Sequence, residues 1–178
     1  GISYERYLQG VGILNLLLGP ATVALAVPLY QNLARIRRLL WPILITVGCG
    51  GVLVTGLTLL LGHLLGIDHA MLMTLAPKSV TSPIAMLVAN QAGGIAALAA
   101  VFVLLTGILG AVFGPSLLKF ARVSHPAAVG MALGLTAHAV GTSRALEEGQ
   151  EHGAYAALAM SLMGVGTAVF LPLVLSLV

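Results

Sequence analysis

The stretch TLAPKSVTSPIAM, Thr74–Met86, sets one ammonium, Lys78, among three hydroxyls, Ser79, Thr81 and Ser82, between Pro77 and Pro83. The chemistry this combination supports is the binding of a small anion. Proline disfavours the helical region for the residue before it and fits the first position of a helix, and serine is a good N-cap. Ser82-Pro83 therefore reads as a helix start, with Ile84–Gln91 following irregular backbone over Pro77–Ser82. A helix N-terminus attracts anions through its free N–H groups and its dipole, and Lys78 adds a full positive charge. The alternative is that Lys78 snorkels to an interface while the hydroxyls bond their own backbone. An ionised group inside a bilayer costs on the order of 3 kcal/mol or more, so a functional role is the default reading.

A second polar group, Thr136, His138, Gly141, Thr142, Ser143 and Arg144, lies in another apolar stretch. Gly141 is placed to break a helix, with Thr142 capping a short piece that runs to Glu148. His138 has a side chain able to exchange protons near neutrality and is a candidate proton carrier; equally, it reads as a packed histidine donating one hydrogen bond. Arg144 has the fork geometry to clamp a carboxylate; it also has Glu147 and Glu148 within reach on its own helix. Asn90 and Gln91 are apolar-flanked amides that would line the same cavity. Ser79 and His138 pair on paper as nucleophile and base, but no third orienting group is evident, so no enzyme is expected. No zinc spacing, Walker loop or dinucleotide fingerprint is present, and no cofactor or metal is expected.

The elements that position these groups lie in a bilayer. The hydrophobic fraction is 59% with only 7% charged residues, and the mean hydropathy is +1.07. Soluble domains carry roughly 25% charged residues. The chain reads as an all-α polytopic membrane protein, one domain over residues 1–178. The formal net charge of +3 fits basic loops rather than a nucleic-acid footprint. The lone Cys49 excludes an intrachain disulfide. The chain starts at Gly1, as a processed form or a fragment would, and nothing at the start reads as a signal peptide.

About six hydrophobic segments are expected: Val11–Tyr30, Trp41–Leu65, Thr74–Gly94, Ile95–Leu118, Ala127–Ala145 and Ala154–Val178. Trp41, Tyr30 and Tyr155 are the interfacial anchors. The positive-inside rule puts the loops carrying Arg35, Arg37 and Arg38, and Lys119 and Arg122, in the cytoplasm. The third segment must then begin and end on the outer side, which makes it re-entrant. The fifth runs outward and delivers Glu147, Glu148 and Glu151 to an external loop. Two alternatives stay open: basic loops on opposite sides, or a third segment that crosses as a broken helix. LGPATVALAVPLY (Leu18–Tyr30) also lies on LTAHAVGTSRALE (Leu135–Glu147) at an offset of 117. That suggests repeat halves 11–65 and 127–178, inverted relative to one another as in many transporters.

LGPATVALAVPLYQ, LAPKSVTSPIAM, GILGAVFGPSLL and AHAVGT resemble, in that order, motifs of the LrgB family of membrane proteins. The resemblance covers essentially the whole chain. Family members usually carry further apolar segments before the stretch similar to GISYERYLQG, so the resemblance implies that these are lacking here. It implies two functional readings. One is transport of small carboxylates such as glycolate, glycerate or pyruvate. The other is antiholin- or holin-like control of murein hydrolase export and lysis. It further implies a small LrgA-like membrane partner, a homo-oligomer, or both, in the bacterial cytoplasmic (inner) membrane, with the plastid envelope as the alternative. Carried over by motif, Lys78, Ser79 and Thr81 of PKSVT, with His138, Gly141 and Thr142 of HAVGT, form the site. Arg144 falls outside what the plastid relatives share. A carrier needs a buried, asymmetric, partly charged site, which this sequence offers, and a holin needs no lysine between prolines. The expected function is therefore small-carboxylate transport, with lysis control as the alternative.

Overall fold

A computed structural model describes residues 26–175. The described residues form eight helices and no strand: α1 (Ala26–Gln31), α2 (Leu33–Arg38), α3 (Leu40–Leu64), α4 (His69–Leu75), α5 (Ser82–Gln91), α6 (Ala96–Phe120), α7 (Pro126–Glu148) and α8 (Gln150–Leu175). The first hydrophobic segment, up to Leu25, and with it most of the first proposed repeat half's opening motif, lies outside the described residues.

Three helices are long and apolar enough to cross a membrane: Leu40–Leu64, Ala96–Phe120 and, within α8, Gln150–Leu173. At about 1.5 Å per residue they rise roughly 37 Å. They match the second, fourth and sixth expected segments. Leu40–Leu64 and Ala96–Phe120 are apolar all round and mostly outward-facing, as lipid-facing helices are, whereas α8 is largely covered by its neighbours.

The third segment is divided. Leu64 ends α3, a short link follows, and α4 dips inward, with Leu72 packed on Gly62. The chain is irregular from Ala76 to Thr81, and α5 returns. Thr74 Oγ1 accepts the Ile95 amide at 2.8 Å, so the exit of the hairpin lies beside its entry. Ile84 packs on Gly164 well inside α8, whereas Val88 meets Leu171 near its end. The N-terminus of α5 therefore sits deep in the bundle and its C-terminus near the end where α6 starts. The re-entrant reading of this segment fits, and its helix start shifts by one residue. Thr81 is the N-cap, with extended φ −68° and ψ 148°, and Ser82 and Pro83 occupy the first turn.

The fifth segment departs from expectation. It is not an outward span. The helix breaks at His138, whose φ of 43° and ψ of −128° are far from helical, and the second half folds back on the first. A Cβ on Gly141 would collide with the Leu133 carbonyl oxygen, a neighbour that a straight helix holds about 12 Å away along its axis. The descending half, Pro126–Ala137, rises only about 18 Å, short of a bilayer core of roughly 30 Å. Along it Ala137, Leu133 and Gly130 meet, in turn, Gly110, Gly114 and the His152 carbonyl. It thus runs antiparallel to α6 and parallel to the start of α8. Glycines let all three backbones approach: a Cβ at Gly134 would strike the Ala156 carbonyl oxygen.

Both ends of α7 therefore lie at one end of the bundle. Arg35 of α2 pairs with Glu151 of α8 there, at 2.5 Å, and Ile36, Ala127 and Tyr155 share one buried cluster. The two basic loops thus share an end, as expected. The loop Glu147–Glu151, expected on the opposite side, is at that same end. The cause of the error is physical: Ala127–Ala145 is apolar enough to cross, and a reversal at a non-glycine residue leaves no compositional trace. Placement is checked in a Cys49→Ser background with an impermeant thiol reagent. Ser124→Cys and Gln150→Cys are expected to react from the same face, and Leu65→Cys from the other; opposite faces for Ser124 and Gln150 would return α7 to a span.

Candidate functional site

The two broken hairpins enter from opposite ends and reach the same region of α6. Val80, at the irregular tip of the first, belongs to the buried cluster that contains Ala99 and Val103. His138, at the tip of the second, makes a 2.8 Å hydrogen bond through Nε2 to the Val103 carbonyl. A carbonyl only accepts, so Nε2 carries the proton. The carbonyl is reachable because Gly107, one turn further on, has no side chain: a Cβ there would sit 2.7 Å from His138 Cε1. Irregular backbone at such depth survives only where protein or a wet cavity covers it. Here His138 is 4% exposed, and Thr142 Oγ1 donates to the His138 carbonyl at 2.8 Å. This geometry favours the packed-histidine reading of His138 over the proton carrier. It also corrects the position of the break: Gly141 supplies the close approach of the returning half, and Thr142 ties down the break rather than capping a new helix.

At the first tip Lys78 is half-buried and borders a cavity of about 400 Å³ lined by Leu57, Thr58, Leu61, Leu65, Ile67 and Leu75, among others. Among the described residues nothing is hydrogen-bonded or ion-paired to its ammonium. Thr58 spends its proton on the Val54 carbonyl at 2.7 Å, so its oxygen remains an acceptor. Beside Lys78, Ser79 Oγ is one of two buried side-chain polar atoms without a partner among the described residues; the other is Tyr155 Oη. A buried hydroxyl left unpaired costs about 1–3 kcal/mol. Thr81 and Ser82 are half-buried at the N-terminus of α5. Among the described residues the first tip thus carries a cation and a buried hydroxyl without partners next to a helix N-terminus, but of Lys78, Ser79, Thr81 and Ser82 only Lys78 lines the open groove.

Three residues put forward for the site are placed elsewhere. Arg144 is held on its own helix by Glu147 at 2.8 Å and Glu148 at 2.5 Å, the i,i+3 and i,i+4 pairing of a surface arginine. Asn90 and Gln91 are exposed at the end of α5, because the deep end of that helix is its start. Sequence reasoning missed Gly107 and Val103; a glycine in an apolar span one helical face from a histidine's depth carries no signal without the contact. Among the described residues no three His, Cys, Asp or Glu side chains come together as a metal site.

Long apolar spans with interrupted hairpins between them define an α-helical integral membrane protein. A model of the LrgB-like family matches residues 1–177, and the chain belongs to that family. It is 41% identical to the uncharacterized protein YxaC of Bacillus subtilis (strain 168), over 97% of this chain and 75% of that protein. It is 39% identical to an uncharacterized protein of Haemophilus influenzae, over 99% and 77%. It is 31% identical to the antiholin-like protein LrgB of Bacillus mycoides (strain KBAB4), over 96% and 74%. No solved structure matches the chain.

Proposed function

We propose that this chain carries small carboxylates across the bacterial cytoplasmic membrane, binding the anion at the tip that holds Lys78, Ser79 and Thr81. The observation that supports this is the pair of broken hairpins, entering from opposite ends, whose tips both pack against the stretch from Ala99 to Gly107 of one span. A lesion-forming protein has no use for an unpaired ammonium beside a cavity, whereas carriers place interrupted helices and their ligand near mid-bilayer. The substrate class follows the resemblance: glycolate-, glycerate- or pyruvate-like anions. A homo-oligomer, a small LrgA-like membrane partner, or both, belong to the same reading.

The names of several relatives back the second reading more directly. They describe antiholin-like proteins, and the family resemblance extends that reading to control of murein hydrolase export and lysis. The readings part in proteoliposomes. Saturable uptake of labelled glycolate or pyruvate without leakage of a trapped bulky dye is the expected result; dye leakage, or no saturable uptake of either anion, would favour lysis control.

A further inference from the structure

We infer that residues 69–120 and 126–175 are two inverted copies of one hairpin-and-span unit, and that the second hairpin, shut here, opens toward the basic end to expose His138 as the counterpart of Lys78. The inference deepens the transport reading by naming its moving part. It differs from the repeat expected at an offset of 117, most of whose first motif lies outside the described residues.

The sequence carries the repeat once the hairpins are known. LAPKSVTSPIAM (Leu75–Met86) and LTAHAVGTSRAL (Leu135–Leu146) align at an offset of 60. Leu75 meets Leu135, Val80 meets Val140, Ala85 meets Ala145, and Met71 upstream meets Met131. Lys78 falls on His138, and Ser82 on Thr142. In the spans AVFGP (Ala111–Pro115) and AVFLP (Ala168–Pro172) align at an offset of 57, as do Gly107 and Gly164. Chance identities are common between apolar helices, but here they coincide with matching structure. Each unit is a broken hairpin followed by a span, α6 of 25 residues and α8 of 26. The hairpins enter from opposite ends, and the spans run in opposite directions.

Equivalent sequence in unlike surroundings is the informative part. Lys78 has no partner among the described residues and borders an open groove of about 400 Å³ along α3's last turns. Its counterpart is bonded to Val103, 4% exposed, and pressed against a glycine face of α6. In carriers built from inverted repeats, the two copies hold the two conformations and exchange them as the protein turns from one side to the other. The asymmetry then marks this structure as the form reachable from the end opposite the basic loops. In the exchanged form the His138–Val103 bond breaks and the second tip faces the basic end, while the first hairpin closes over Lys78.

The test uses accessibility rather than transport. Ala137 is fully buried beside the second tip. In the Cys49→Ser protein, Ala137→Cys in sealed vesicles is treated with a membrane-impermeant maleimide from each face. The expected result is labelling from the face that exposes Ser124→Cys, about 10- to 1,000-fold slower than that residue, as for a minor state of 0.1–10%. No labelling from that face, while detergent-denatured protein labels fully, would overturn the inference, as would labelling from the other face. Should Ala137→Cys fail to fold, the wild type serves: diethyl pyrocarbonate is expected to modify His138 slowly but completely, trailing the exposed His69. A His138 still unmodified after an exposure about 1,000 times longer than His69 needs would equally overturn it. Neither readout depends on flux, so a carrier that moves no carboxylate yet opens would sink the transport reading alone.

Discussion

Replacing Lys78 by alanine is expected to weaken carboxylate binding by about 1.5–3 kcal/mol, the usual worth of a hydrogen bond to a charged group, or ten- to more than a hundredfold. The fold should survive. The ammonium has no partner among the described residues and is half-buried beside leucines, so its removal relieves desolvation rather than breaking a pair. Lys78→Arg should restore only part of the affinity. The guanidinium is planar and broader than an ammonium, and the walls at Leu57, Leu61 and Leu75 set hydrocarbon against its other N–H groups, with the Thr58 hydroxyl oxygen as the acceptor among them. The measurement is the thermal stabilisation that glycolate or pyruvate gives to purified wild type and both variants. Equal ligand dependence in all three would remove Lys78 from the site and favour a snorkelling side chain, for which alanine costs little and arginine is harmless.

The second large effect is expected at Gly107. Glycine to alanine inside a helix ordinarily adds helix propensity, up to about 1 kcal/mol. Gly166→Ala should behave in that way, because a Cβ there meets nothing within 4 Å. At Gly107 the sign reverses. The new Cβ would stand 2.7 Å from His138 Cε1, 2.8 Å from Nε2 and 2.9 Å from Val140 Cγ2, and the imidazole cannot retreat without losing Val103. Overpacking of this kind costs about 1–3 kcal/mol. His138→Ala removes the ring and makes room, so the double variant Gly107→Ala/His138→Ala should lose less stability than the two single losses combined. A coupling of at least about 0.5 kcal/mol is expected for residues in contact. Chemical or thermal unfolding in detergent measures it; strict additivity would mean that the ring and the glycine do not meet.

The sequence made the membrane class, the spans Leu40–Leu64, Ala96–Phe120 and Gln150–Leu173, and the break before Pro83 legible for one reason. Each depends on composition or on a residue with a fixed backbone rule. Charge also located both basic loops at one end, because lysine and arginine bias insertion while glutamate contributes little. That asymmetry explains the misplaced acidic loop: Glu147, Glu148 and Glu151 carried no topological information and could lie with Arg35 as readily as away from it. The reversal at His138 was illegible because its φ of 43° is one that glycine, not histidine, announces in a sequence; tertiary contacts at Val103 and Gly107 hold it. Arg144 shows the opposite case. Its partners three and four residues away were visible in the sequence, and helix geometry decided between the two readings. For the first tip, the residue types were legible, whereas the cavity beside Lys78 arises from α3, which is distant in the chain.

One small contact sets an order of events during synthesis. Thr74 donates its hydroxyl proton to the Ala70 carbonyl at 2.7 Å and accepts the Ile95 amide at 2.8 Å, while Gly94 lies against the Thr74 backbone so closely that a Cβ there would meet its nitrogen at 2.8 Å. The first hairpin is thus fastened to the residue that opens the next span. It cannot be completed until Ile95 has left the ribosome, and α6 supplies the Ala99 and Val103 surface on which Val80 rests. Until then the nascent chain holds a lysine, unbonded hydroxyls and open backbone that hydrocarbon does not tolerate. The segment from His69 to Gln91 must therefore wait at the water interface while α3 is already inserted, and enter together with α6 as one piece. Arrest with Gln91 just clear of the ribosome and α6 still within it should leave the segment protease-accessible, and arrest with Phe120 clear of it should not.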